Sequence, residues 1–378
     1  MPFFIRLRNK YRLHDFQFAL VIPVIILTII GILVIGSADA SYQEKQIVGL
    51  VGGIIVMLLF ACIDYHKILN FYWILYILGL IALMSVLLFG DESLGATRWI
   101  DLGFIRFQPS ELTKILMILF LAKFLSLNKD KISKPVFFFI TLFITVIPIL
   151  MIRKQPDLST SIVLFIVCVS LIFIAEISAK IVKWVLGLGI PSFFVLFYLV
   201  TREGQKLISN YQYLRIMSWL QPENYPQSAY QQQNSIMAVG SGCIFGKGLY
   251  NTSLDSVKNG NFISEPQTDF IFAVTGEELG FVGCCVVIGL LLLISIECIW
   301  IGSKAKDLEG KLIGCGMGVL ISFQSFVNIC VVTGLMPNTG LPLPFMSYGL
   351  TSLISLYMGI GVVLNVGLQR SSHESAFQ

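Results

Sequence analysis

Long apolar runs recur along this chain, unbroken by the polar positions that mark the exposed face of a soluble helix or strand. Ten can be delimited: residues 17–36, 46–63, 69–89, 111–126, 135–152, 159–176, 181–200, 269–300, 310–334 and 350–368. Most are close to the roughly 20 helical residues that cross a hydrocarbon core about 30 Å thick. Helix is the expected form, because backbone in lipid must satisfy its own hydrogen bonds. The pattern predicts an all-α polytopic integral membrane protein, a single membrane domain over residues 1–378. A short arm (1–16) would precede the first span and a short tail (369–378) would follow the last. The first run is not read as a cleavable signal peptide, since no small-residue cleavage site follows it.

Composition agrees: 56% of the 378 residues are hydrophobic and 13% are charged, the latter about half the share of a soluble domain. Lys and Arg favour the cytoplasmic side. With the N-terminus inside, 15 of the 26 basic residues fall on interior segments, and an even number of spans places both termini in the cytoplasm. Two outer segments are then long. Residues 90–110 form a loop rich in Gly, Arg and aromatics, and residues 201–268 form a 68-residue excursion between spans seven and eight. Within the excursion, Tyr211–Leu220 reads as an interfacial amphipathic helix. The Gly-rich stretch Ile236–Tyr250 is too short to span and reads as re-entrant or interfacial. Membrane lipid is the expected surrounding and no nucleic-acid partner is expected. All eight cysteines except Cys243 lie in apolar spans, where Cys behaves as a small hydrophobe; no outer disulfide and no metal-ligand spacing emerges.

Ionisable groups in or at the mouth of spans are costly and therefore candidates for function. The three histidines, His14, His66 and His373, all map to the cytoplasmic side, so a general base on the outer face must be a carboxylate or a lysine. Outer-side candidates are Glu111 and Lys114, three apart on one helix face, with Asp157, Asp269, Glu277 and Glu278. Arg98, Arg106, Arg153, Lys154, Arg202, Arg215 and Lys247 supply charge that could surround a pyrophosphate. Each has a plainer reading beside it. Asp269 and Asp157 sit where an N-cap is worth about 1 kcal/mol, Glu111 and Lys114 could be a buried structural pair, and Arg98 could snorkel to headgroups. Glu277 and Glu278 read as bonds to neighbouring helices. Gly240, Gly242, Gly246 and Gly248 around Lys247 fit no phosphate-binding loop, and a tight bend explains them. Pro337, Pro342, Pro344 and the Ser-Tyr-Gly of 347–349 read as the turn into the last helix.

Five segments, in order, carry a resemblance: GATRWIDLGFIRFQPSELTKI (95–115), KQPDLSTSIV (154–163), QPENYPQSAYQQQNSIMAVGSGCIFGKGLY (221–250), SEPQTDFIFAVTGEELGFVG (264–283) and GLMPNTGLPLPFMSYGLTSLIS (334–355). Together they resemble the SEDS family (RodA, FtsW, SpoVE) over essentially the whole chain. Ile63–Tyr65, the short N-terminal arm and the MPNTG form of the last segment are most similar to its RodA branch. Ser159 stands where the family has Gly, Leu350 and Thr351 replace a Gly and a Ser, and residues 254–262 are unusually polar. The resemblance implies a peptidoglycan glycosyltransferase of the cytoplasmic (inner) membrane that polymerises lipid II on its outer face during cell elongation and shape maintenance. It implies a class B penicillin-binding protein as transpeptidase partner, beside other membrane proteins of the elongation complex. It also implies that Asp269, in the TDF motif, is the essential acid.

The chemistry suits such residues. An acceptor sugar hydroxyl attacking an anomeric carbon must lose a proton, and a carboxylate within reach can take it; inversion follows from a single displacement. The leaving pyrophosphate needs positive charge, which Arg98, Lys114, Arg215 and Lys247 could supply; with Glu111 and Asp157 they make the candidate substrate-binding set around Asp269. A divalent cation, Mg²⁺ or Mn²⁺, is a candidate cofactor whose ligands the sequence does not define. Two other readings stay open: a flippase for lipid-linked precursor, and a non-catalytic scaffold that activates a penicillin-binding protein.

Overall fold

A computed structural model describes residues 17–93, 96–101, 103, 106–132, 134–176, 178–202, 204–205, 207–251 and 262–369. The N-terminal arm up to residue 16, the polar stretch 252–261 and nearly all of the tail, including His14 and His373, lie outside the described residues. The described helices are α1 (Phe18–Ala38), α2 (Ala40–Cys62), the short α3 (Tyr65–Leu69), α4 (Tyr72–Phe89), α5 (Pro109–Leu127), α6 (Pro135–Lys154), α7 (Leu158–Ile174), α8 (Ala179–Val200), α9 (Asn210–Leu220), α10 (Pro226–Ser241), α11 (Ile271–Ser303), α12 (Leu308–Val332) and α13 (Leu350–Leu368). Eight of them are long and apolar enough to cross a membrane. Two more of the expected spans are helical but fall outside that group. α7 is 17 residues long, and α5 carries Glu111, Lys114 and Lys123. The chain is a multi-pass membrane protein.

The core gathers around α5, α12 and α13. A helix hydrophobic on all sides is an interior helix, and α5 is buried almost throughout from Pro109 to Leu125. α11 packs along α12, α2 along α13, α4 along α5 and α1 along α11. Small residues allow the closest approaches: a Cβ on Gly314 would sit 2.5 Å from the Cα of Gly302, so α11 and α12 meet backbone to backbone, as small residues permit in membrane bundles. α8 is the outlier. Its described side chains are largely exposed.

The sequence places a plain loop at residues 90–110, and here the structure differs. β1 (Asp91–Ser93), β2 (Ala96–Asp101) and β3 (Arg106–Phe107) form a small antiparallel sheet. Trp99 pairs with Asp91, and Ile100 with Phe107. The β-branched and aromatic residues of β2 favour a strand, and Gly103 supplies a positive φ of 84° in the connection. The excursion 201–268 contains α9, as expected, and α10. Ile236–Tyr250 is the end of α10 followed by turns that dock on α11. Lys247 N and Gly248 N donate to the carbonyls of Glu277 and Glu278, and Phe281 N and Val282 N donate to those of Cys243 and Ile244. α11 breaks at Gly280 (φ 66°, ψ −166°), which frees the backbone groups this docking uses. Gly242 and Gly246 therefore serve a close backbone approach, since a Cβ on either would meet the carbonyl of Gly276 or Glu278.

Gln17 lies against Gly367, so both ends of the described chain meet at one end of the bundle. Asp269, which precedes α11, lies at the other.

Candidate functional site

The backbone on both sides of Asp269 is clamped by polar side chains that apolar helices carry inward. Asn328 of α12 donates through Nδ2 to Asp269 O at 2.8 Å and to Leu341 O at 2.7 Å. One turn away on α12, Gln324 donates to Pro342 O at 2.9 Å. Ser347 Oγ donates to Thr268 O at 2.6 Å and accepts from Leu343 N at 2.7 Å, and Tyr348 N donates to Gln267 O. The segment 334–349 is thus a polar frame around residues 267–269 as well as a turn into α13. Trp219 joins it from α9, donating to Gly334 O at 2.8 Å. Ser159, where the family resemblance expects Gly, donates to Thr339 O at 2.6 Å.

The N-cap reading separates the two aspartates. Asp157 caps α7: Oδ1 accepts from Thr160 N at 3.0 Å and Oδ2 from Thr160 Oγ1 at 2.9 Å. Asp269 does not cap α11, whose cap position is Phe270. Its carboxylate accepts no hydrogen bond from a described residue.

Charge converges on that carboxylate from separate elements. Gly340, in the left-handed region at φ 71°, lets the frame pass so closely that a Cβ there would lie 3.2 Å from Asp269 Oδ2 and 3.4 Å from an Arg215 Nη. Arg215 rises from α9, stacked 4.4 Å over the Tyr211 ring and bonded to its hydroxyl. Arg98 comes from β2; its Nη2 donates to Pro156 O at 2.7 Å, and its Nε lies 3.8 Å from Asp157 Oδ2 with no hydrogen-bond partner. Burial raises the Asp269 carboxyl above its ordinary value; Arg215 and then Arg98 oppose that, while Asp157 and Glu265 add to it. Burial is also the largest influence on Arg215, and lowers it.

The remaining candidates lie elsewhere. Lys114 Nζ donates to Glu111 Oε1 at 2.7 Å and to Gln324 Oε1 at 2.8 Å, while Ser352 donates to Glu111 Oε2 at 2.7 Å. Both residues are 1% exposed, enclosed beneath the frame and joined to it through Gln324. Lys247 pairs with the buried Glu277 at 2.8 Å, and Ser37 of α1 bonds Glu278. Arg153 donates to Leu207 O and Arg202 stacks on Tyr198, so both are engaged away from Asp269. A cavity of about 390 Å³ opens between Ala38, Asp39 and Tyr42 on one side and Ile263–Gln267, just before Asp269 in the sequence, on the other. A second concavity, beside Lys183 and Trp184 on α8, is remote from these groups in the sequence and on the outlying helix. Among the described residues, none of the candidates forms a three-ligand metal group near Asp269.

Sequence reading missed Gln324 and Asn328, and took Ser347 only as part of the turn into the last helix. Polar residues on otherwise apolar helices were the available signal for the first two, since such residues need partners in a membrane.

Comparison with known proteins adds the following. The family described as cell cycle protein, FtsW/RodA/SpoVE, matches residues 15–372. The chain is 34% identical over 350 residues to the peptidoglycan glycosyltransferase MrdB of Escherichia coli K12, covering 91% of each. It is 37% identical over 363 residues to the stage V sporulation protein E of Bacillus subtilis 168, covering 92% of this chain and 95% of that one. Its fold matches the rod shape determining protein RodA of Thermus thermophilus with a TM-score of 0.68 at 26% identity, over 94% of this chain and 98% of the other. It also matches a chain of a peptidoglycan synthase complex that coordinates polymerization and crosslinking, with a TM-score of 0.77 at 28% identity, over 94% and 99%.

Proposed function

From the premise that this chain belongs to the FtsW/RodA/SpoVE cell cycle protein family, we propose that it is a peptidoglycan glycosyltransferase that polymerises lipid II, with Asp269 as general base. One observation carries the assignment of the base. Asp269 presents a carboxylate with no hydrogen bond from a described residue, held by its backbone beside Arg98 and Arg215. In the reaction, an acceptor hydroxyl oxygen bonds to the donor's anomeric carbon as the bond from that carbon to the lipid pyrophosphate breaks. The hydroxyl proton passes to Asp269, and the bonding pair leaves with the pyrophosphate. A raised pKa makes Asp269 a stronger base than an ordinary carboxylate, which proton transfer rewards. Arg98 and Arg215 meet the charge that develops on the leaving group, in a setting where fixed charge is worth more than in water.

Asp157, with both oxygens held by Thr160, positions Arg98. Glu111 and Lys114 brace the frame from below, and Lys247 holds the 243–248 turn to α11. Attack from the side opposite the leaving group inverts the anomeric centre. A divalent cation, when bound, would neutralise pyrophosphate charge. Asp269 offers it one open carboxylate, so substrate oxygens and water would supply its other ligands, as Mg²⁺ sites often arrange. This end of the bundle faces outward in the proposed topology, with both termini in the cytoplasm, the inner membrane as location and a transpeptidase of the penicillin-binding class as partner.

The test is polymerisation of labelled lipid II by the purified protein with its transpeptidase partner, resolved by product length, for wild type and Asp269→Asn. A ladder from wild type alone is the expected result. A ladder of comparable rate from the variant moves the base elsewhere. Lipid II crossing vesicles with no polymer from wild type would instead favour the flippase reading.

A further inference from the structure

At the end of the bundle opposite Asp269, two connections are tied together by groups the proposed reaction does not use. His66 of α3 places Nδ1 3.0 Å from Asp64 Oδ1 and Nε2 2.7 Å from Asp307 Oδ2. Asp307 precedes α12, and its Oδ1 also accepts from Gly310 N at 2.8 Å. Tyr65 donates to Asp307, 2.9 Å from each of its oxygens, and Gln369 donates to Asp64 at 2.9 Å. Glu309, 7% exposed, pairs through Oε1 with Lys123 at 2.8 Å. Its Oε2 is buried without a hydrogen-bond partner. Among the described residues, His66, Asp307 and Glu309 form the one group whose ligand atoms fit a metal ion, all within 4.8 Å of one another.

A neutral imidazole has one N–H and one lone pair. Both ring nitrogens of His66 face carboxylate oxygens, so one contact sets lone pair against lone pair unless a cation intervenes. The cation can be a proton on the ring or a metal ion at Nε2. A proton would satisfy His66 and leave Glu309 Oε2 as it is. A metal ion held by all three groups would satisfy His66 and engage the Glu309 carboxylate, and it would leave Nδ1–H donating to Asp64, the outer carboxylate that commonly orients a metal-bound histidine.

We propose that His66, Asp307 and Glu309 form a divalent transition-metal site, oriented by Asp64, that clips the α2–α4 connection to the α11–α12 turn on the face opposite Asp269. One imidazole with two carboxylates suits Zn²⁺ or Mn²⁺ above Mg²⁺ or Ca²⁺, which prefer oxygen alone, and affinity order favours Zn²⁺ of the first two. Water completes its coordination.

The experiment uses the full chain in detergent with an affinity tag free of histidine, stripped with chelator and titrated with Zn²⁺ by calorimetry, with bound metal counted by mass spectrometry. Expected are about one tight equivalent in wild type and in Asp269→Asn, and loss of it in His66→Ala and Glu309→Gln. Asp64→Asn should weaken binding by roughly 10–100-fold, the usual effect of removing an outer-shell partner. Zn²⁺ should also raise the unfolding temperature of wild type and leave that of His66→Ala unmoved. Absence of saturable binding in wild type overturns the proposal whatever the variants do, and assigns the cluster to a protonated histidine. Undiminished binding in a folded His66→Ala overturns it as well, as does loss of the site in Asp269→Asn.

Discussion

At the scale of single residues, the informative contrast is between two aspartates that look alike in sequence. Each stands before an apolar helix, and each could have been a cap. Asp157 gives both oxygens to Thr160, whereas Asp269 leaves the cap position to Phe270 and keeps its carboxylate open. A prediction in pH follows. Burial raises the Asp269 pKa and Arg215 pulls it back. The proposed base works when deprotonated, so activity should fall as pH drops through a value above the ordinary carboxylate range. Arg215→Gln removes the strongest opposing charge, so the acid limb of the kcat/KM profile should move to higher pH. The profile of the variant measured against wild type checks this. An acid limb that stays put, or moves lower, rules against Arg215 acting on Asp269.

At the scale of elements, α5 shows how a charged pair can belong to an interior helix. Glu111 and Lys114, one turn apart, neutralise one another and bond to Ser352 of α13 and Gln324 of α12, so three helices share one polar knot. Lys114→Met should strand the Glu111 charge and destabilise the protein by about 3–5 kcal/mol. The double variant with Glu111→Gln should recover most of that loss. Thermal unfolding in detergent reports both, and a single variant as stable as wild type would mean the knot does not hold the helices. The spacing of the pair was legible in the sequence. Its partners were not, because Gln324 and Ser352 are more than two hundred residues away.

At the scale of the whole molecule, the bundle depends on helices that approach closely enough for backbone contact. Gly314→Val would place side-chain atoms against Gly302 of α11, and overpacking of this kind typically costs about 1–3 kcal/mol. Gly289→Ala is the control, because a Cβ there meets nothing within 4 Å. The unfolding temperature should drop for the first and hold for the second. Equal behaviour would show that α11 and α12 can separate without loss. α11 also runs from the Asp269 end to the turn at Asp307, so it joins the proposed active site to the proposed metal clip.

Much was settled by the sequence alone. Apolar run length against bilayer thickness predicted the class, a local property of a chain in lipid; of the ten expected spans, eight are long and apolar enough to cross, while α5 and α7 are helical outside that group. The order of the five motifs identified the family, and the TDF motif nominated Asp269 for the role proposed above. Tertiary structure decided what local pattern cannot encode. It paired Asp91–Ser93, Ala96–Asp101 and Arg106–Phe107 in a sheet that delivers Arg98 to Pro156 and Asp157, and turned the 334–349 segment into the frame around residues 267–269. It broke α11 at Gly280 to receive the Lys247 turn, and closed His66 on Asp307 across 241 residues. In each case the deciding partner is distant in the chain, and the driving force is the cost of leaving a polar group unpaired in a buried, largely apolar interior.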